Sequence, residues 1–138
     1  MSVEHAIEAR NLFKVFGKNP KSVIEQLRAG KTRAEVSDRG TAAVIDASFT
    51  VDPGEIFVIM GLSGSGKSTI IRMLNGLHPA TDGSVTVSGD AITGIPASRL
   101  REIRRDRVSM VFQHFALLPH RTVAANVAYP LELKGVAK

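Results

Sequence analysis

The chain has 138 residues, 43% of them apolar and 22% charged, the size and balance of one globular domain rather than of a disordered or fibrous chain. Its longest apolar run, Ile56–Met60, falls far short of the about 20 residues a membrane-spanning helix needs, and the N-terminus lacks the basic start and apolar stretch of a signal peptide. There is no cysteine, which excludes disulfides and cysteine-rich zinc sites and fits a reducing compartment, and 18 Lys and Arg against 13 Asp and Glu give a net charge of +5, which favours polyanionic ligands.

In chain order, Val3 to Ala9 alternates loosely and reads as a short strand, and Asn11 to Gly17 follows and ends in turn residues. Residues 21–29 place Val23, Ile24 and Leu27 on one helical face, with Gly30 as a stop. Thr32 and Glu35 have the spacing of a capping box for a second short helix stopped by Gly40, so residues 18–40 read as a helical insertion. Residues 43–51 alternate as a half-buried strand, and Asp52-Pro53-Gly54-Glu55 is a turn. Ile56–Met60 is apolar at every position, the pattern of an interior strand covered on both faces.

A glycine-rich loop opens a helix over 67–75, stopped by Gly76. Asp82-Gly83 turns into a strand over 84–88, closed by Gly89-Asp90, and 97–105 is a third helical stretch. Val108–Phe112 reads as another mostly apolar strand with Gln113 at its C-terminal end. Thr122 is placed to cap a helix that Pro130 interrupts.

The loop carries the chemistry. Gly61-Leu62-Ser63-Gly64-Ser65-Gly66-Lys67-Ser68 matches the phosphate-binding pattern G-x-x-x-x-G-K-S/T, between a buried strand and a helix as that pattern requires. Its glycines let successive backbone N–H groups turn toward phosphate oxygens, and the helix start adds unpaired N–H groups and the positive end of its dipole. Lys67 supplies a point charge for the β and γ phosphates, Ser68 a hydroxyl for Mg²⁺, and Thr69 a further hydrogen bond. Gln113, at the C-terminal edge of an α/β sheet, is placed to ligate Mg²⁺ or orient a water, although a surface polar residue explains it equally well.

Other features read as structure. The cluster Arg99, Arg101, Arg104, Arg105 and Arg107 contains Glu102 and Asp106 and fits a solvated helix face. His5, His78, His114 and His120 lack metal-ligand spacing. Six Phe, one Tyr and no Trp, not interleaved with basic residues, give no platform for single-stranded nucleic acid.

The loop, together with Met110-Val-Phe-Gln113-His-Phe-Ala-Leu-Leu-Pro-His-Arg-Thr-Val123, resembles the ATP-binding subunits of ABC transporters, the second stretch looking like that family's Q-loop. The insertion at 18–40, followed by Gly54-Glu-Ile-Phe-Val-Ile-Met-Gly-Leu-Ser-Gly-Ser-Gly-Lys67, narrows the resemblance to the glycine betaine/proline (quaternary amine) importers. The resemblance implies an α/β P-loop ATPase core with an antiparallel β subdomain, incomplete here, with the loop at 61–69, the Q-loop around 113 and a helical subdomain starting at about 120–138. It further implies ATP and Mg²⁺ as ligands, with Lys67 and Gln113 serving hydrolysis, and an adenine-stacking role for Phe16.

As partners it implies a membrane-spanning permease, a second ATPase subunit bound head to tail and, indirectly, a substrate-binding protein, with the subunit on the cytoplasmic face of the membrane and no nucleic acid bound. Importers for another solute, such as an amino acid or methionine, are the nearest alternative. A small-molecule P-loop kinase and a non-hydrolysing nucleotide-binding module are more distant ones. The family's Leu-Ser-Gly-Gly-Gln-type signature, Asp-Glu strand and switch histidine match no residues here, so the resemblance also implies an N-terminal portion of a longer ATPase that does not turn over ATP by itself.

Overall fold

The computed structural model describes residues 5–113 and 116–136. Val3 of the expected first strand, and His114 and Phe115 of the Q-loop-like stretch, lie outside the described residues. The central element is β1 (Ile7–Phe16), flanked by β2 (Thr41–Val51) on one side and β3 (Asp82–Val87) on the other. A short β4 (Asp90–Ala91) completes an antiparallel sheet in the order β2-β1-β3-β4.

β1 is one strand where the sequence suggests a strand and a separate stretch. The join is a bulge. Asn11 and Asp46 both have positive φ (46° and 48°), the β1–β2 register shifts between Ala9 and Leu12, and Asn11 Nδ2 donates to Asp46 Oδ1 at 2.9 Å. Asn and Asp tolerate this backbone better than other residues with a Cβ. Beyond the bulge, Leu12 to Val15 are all buried, so this half of β1 is covered on both faces.

Two apolar clusters do the covering. α2 (Lys67–Leu74) and α3 (Ala97–Arg107) bring Met73, Leu74 and Ile103 against Ala9, Leu12, Val44 and Val85. α1 (Pro20–Arg28) brings Val23 and Ile24 against Phe13, Val15 and Ala42, joined by Val36. Each fully buried aliphatic side chain contributes about 1.5–3 kcal/mol of transfer free energy.

Between α1 and β2 the capping-box contacts form without the helix expected after them. Thr32 N and Oγ1 both donate to Glu35 Oε2, at 2.8 and 2.7 Å, yet residues 33–39 are successive turns. Their backbone bonds run i to i+3 or close at Gly40, because Val36 is drawn into the core and Arg33 is tied to β2. The excursion closes at its base, where a Cβ on Gly17 would lie 2.9 Å from the Gly40 Cα. α4 (Val123–Leu133) starts as expected, Thr122 Oγ1 accepting from Ala125 N at 3.2 Å, but runs through Pro130 rather than stopping there. Arg121 bridges the proline turn, donating to Glu132 Oε2 at 2.8 Å with its guanidinium over Tyr129.

Two strand expectations are corrected. Residues 56–60 and 108–112 carry no regular secondary structure and pair with no strand among the described residues. Ile56 is 90% exposed, Met60 85% and Val111 95%. An all-apolar run encodes a demand for burial but supplies no neighbouring strand, and β1 to β4 pair with one another. One aromatic contact holds the first run to the sheet, Phe57 stacking on Phe49 at 4.9 Å.

Candidate functional site

The loop of residues 61–66 leads directly into α2, and its last residue sets the geometry. Gly66 is the N-cap of α2 with φ +97°, and a Cβ there would stand 2.2 Å from the Ala43 carbonyl oxygen. Only glycine satisfies both constraints, so Gly66 packs the loop directly onto the backbone of β2. Lys67 is the first helical residue. Its Nζ donates to the carbonyls of Gly61 at 2.9 Å and Leu62 at 2.7 Å, and lies 3.4 Å from Ser65 Oγ. Ser65 N donates to Leu62 O at 3.2 Å, which closes the loop beneath the lysine.

A cleft of about 310 Å³ opens here, lined by Arg33, Thr41, Ala43, Gly64, Gly66, Lys67, Ser68 and Thr69. The lining holds two cations and no carboxylate. It also includes the start of α2, where helical N–H groups have no intrahelical acceptor. A small polyanion is the chemical complement of this set. Of the residues expected from the sequence, Gly64, Gly66, Lys67, Ser68 and Thr69 line the cleft, Gly61, Leu62 and Ser65 hold the lysine, and Ser63 is exposed in the same loop.

Phe16 sits in an adjoining cleft with Gly17, Lys18, Asn19, Ser22 and residues 37–41. Thr41 lines both clefts and is the register partner of Phe16, so the β1–β2 pairing sets Phe16 beside the loop. The ring is 42% exposed, with Lys14 Nζ 5.0 Å from its centroid and His78 edge-on at 5.9 Å. Lys14 donates to Pro79 O at 2.7 Å, and burial lowers its pKa.

Gln113 is exposed and does not line the cleft. The run that leads to it, 108–112, is unpaired, so no sheet edge presents its carboxamide to the loop. Ser68 is therefore the one expected Mg²⁺ donor that the cleft contains; its hydroxyl oxygen suits a hard cation. Among the described residues no three His, Cys, Asp or Glu side chains converge on a metal position. On α3, Arg99 pairs with Asp90 and Glu102, and Arg105 with Asp106, while Arg101, Arg104 and Arg107 make no ion pair among the described residues, so this is a partly paired, net positive surface face. Sequence reading missed Arg33, Thr41 and Ala43. Ala43 contributes a carbonyl, which no side-chain pattern reports, and Arg33 enters through the turn that replaces the expected helix.

An α/β chain whose left-handed glycine opens a helix, with the lysine of a G-x-x-x-x-G-K-S loop as the first helical residue, has the fold of the P-loop nucleotide-binding proteins. Within that class the chain belongs to the ABC transporter family, whose model matches residues 44–138. It is 51% identical over 134 residues to the glycine betaine transport ATP-binding protein OpuAA of Bacillus subtilis, a match that covers 96% of this chain and 32% of that protein. The trimethylamine N-oxide transport system ATP-binding protein TmoW of Ruegeria pomeroyi is 48% identical over 130 residues, covering 94% of this chain and 38% of its own length. The chain thus spans roughly a third of the length of these curated relatives. Among solved structures, the dimeric bacterial ABC transporter cassette MJ0796 superposes with a TM-score of 0.74 at 30% identity, covering 93% of this chain and 47% of the cassette. A second structure of that cassette holds ADP and Pi.

Proposed function

We propose that this protein is the ATP-binding, energy-coupling subunit of an ABC importer for osmoprotectants of the glycine betaine/proline type. The observation that carries the nucleotide reading is the cleft that joins Lys67, the start of α2 and, through Thr41, the exposed ring of Phe16. A triphosphate takes the place of the Gly61 and Leu62 carbonyls at Lys67 Nζ, while the N–H groups at the start of α2 donate to phosphate oxygens and the adenine lies on Phe16. During hydrolysis Lys67 steadies the charge on the transferring phosphoryl group, which is positioning and electrostatics rather than covalent chemistry. The Ser68 hydroxyl would be the donor that holds Mg²⁺ in this cleft, and the ion would supply positive charge to the phosphate oxygens. A role for Gln113 in that step requires the 108–112 run to dock beside the loop.

The names of the relatives support the solute class. Glycine betaine and trimethylamine N-oxide both carry a trimethylated nitrogen. A membrane-spanning permease, a second ATPase subunit and a substrate-binding protein complete the proposed importer, with this subunit on the cytoplasmic face. The dimeric cassette supports the paired arrangement, and among the described residues no helix is long and apolar enough to cross a membrane. The arginines of α3 line neither the cleft at Lys67 nor the one at Phe16, which gives no support to the arginine lid a small-molecule kinase would use.

Calorimetric titration with ATP tests the nucleotide reading. Lys67→Ala is expected to weaken binding by about ten- to a hundredfold, the loss of a charge-assisted contact. Equal affinities for wild type and variant would overturn the phosphate role of Lys67. Uptake of labelled glycine betaine by cells whose importer depends on this subunit tests the solute class, and uptake that only methionine or another amino acid competes away would overturn it.

A further inference from the structure

We infer that Arg33, from the turn segment between α1 and β2, is a second cationic contact to the polyphosphate of the bound nucleotide. The inference rests on the nucleotide reading and deepens it. Arg33 Nε donates to Ala42 O at 2.6 Å and Nη2 to Ala43 O at 3.0 Å. The second of these carbonyls is the one against which Gly66 packs, so the same oxygen positions both the last glycine of the loop and the guanidinium. Two N–H groups of the fork are taken by backbone carbonyls, and the remaining donors belong to a side chain that lines the cleft beside Lys67 and Ser68.

No carboxylate among the described residues pairs with this guanidinium; Arg39, Arg72, Arg101, Arg104 and Arg107 likewise make no ion pair there, but Arg33 alone of these lines the cleft. A guanidinium fixed by neutral acceptors, next to a second cation in a cleft without an acid, retains its full charge for an anion. Carbonyl anchoring also orders the side chain before the ligand arrives, which reduces the entropy lost on binding. Within the cleft the segment at 18–40 would therefore serve nucleotide binding directly.

Three variants of the complete protein, Arg33→Gln, Arg33→Lys and Lys67→Ala, are titrated with ATP at several salt concentrations. Arg33→Gln keeps an amide donor for the β2 carbonyls and removes the charge. It is expected to weaken ATP about tenfold or more and to flatten the fall of affinity with salt, while Arg33→Lys recovers part of the loss. If Arg33→Gln binds ATP like wild type, with the wild-type salt dependence, while Lys67→Ala loses binding, Arg33 is only an anchor for its turn and the inference is overturned with the nucleotide reading intact. If wild type itself does not bind ATP, the nucleotide reading fails and this inference falls with it. A measurement on the unaltered protein covers the case in which the variants do not fold. The arginine reagent phenylglyoxal, with modified peptides mapped by mass spectrometry, is expected to label exposed Arg33 and to be blocked there by saturating ATP, and labelling unaffected by ATP overturns the inference.

Discussion

Lys67 directs its ammonium group at oxygens of its own loop, and Phe16 holds an aromatic ring half open to solvent. A core phenylalanine would be covered, as Phe13 is at 3% exposure three residues earlier on the same strand. The exposed ring suits a flat ligand. Phe16→Ala is expected to lower ATP affinity by about 1–3 kcal/mol, the usual worth of a base stacked on an aromatic, and Phe16→Tyr to leave it nearly unchanged. Fluorescence titration with a labelled ATP analogue checks this; unchanged affinity in Phe16→Ala would place the adenine elsewhere. The motif was legible at this scale because glycine, lysine and serine at fixed spacing have a single strong use. Arg33 was not legible, because its meaning lies in two backbone carbonyls about ten residues along the chain.

Between elements, the 18–40 segment is fastened to the sheet by the buried cluster of Val23, Ile24 and Val36 against Phe13, Val15 and Ala42, and at the surface by an ion pair. Arg28 at the end of α1 pairs with Asp82 at the start of β3 at 2.9 Å, with both side chains about half exposed. The Gly83 backbone N–H, and after it Arg28, hold the Asp82 carboxyl below the usual carboxylate range. A carboxylate with a lowered native pKa contributes stability that is present above its unfolded pKa and lost as pH falls through the native value. The melting-temperature difference between wild type and Asp82→Asn is therefore expected to be largest near neutrality, to shrink as pH falls below the unfolded carboxyl's ordinary value of about 3.9, and to vanish once pH passes below the lower native value. Thermal melts across that range check it. A difference that grows toward acid would reverse the sign and remove the ion pair from the account, and its size should be small for so exposed a pair.

Across the whole molecule, the antiparallel sheet and its two clusters form the ordered core, while the runs 56–60 and 108–112 lie outside the sheet, with Val108 packing at the edge of the first cluster. Hydrogen exchange should divide the chain accordingly. Amides of Leu12 to Val15 and Val85 are expected to exchange slowly, and those of 56–60 and 108–112 quickly, because exposed backbone without ladder partners opens at little cost. Slow exchange in either run would show that it has found a partner strand. The exposed Ile56, Val58 and Met60 also predict binding of a hydrophobic dye such as ANS, which a covered sheet would not give.

What the sequence by itself determined were the features encoded in neighbouring residues. These are the phosphate-type loop and the helix after it, the alternating strands, the turn at Asp52–Glu55, closed by Glu55 N donating to Asp52 O at 3.1 Å, and the Thr122 cap. Such features depend on contacts within a few residues, so composition and spacing carry them. Tertiary structure decided the rest. It merged two segments into one bulged β1 through the Asn11–Asp46 contact, carried α4 through Pro130, and turned the expected second helix into a turn that brings Arg33 to the cleft. It also left two apolar runs without ladders. Strand formation requires a partner edge at about 4.8 Å, and a chain's own periodicity states which residues seek burial but not whether such an edge is there to meet them.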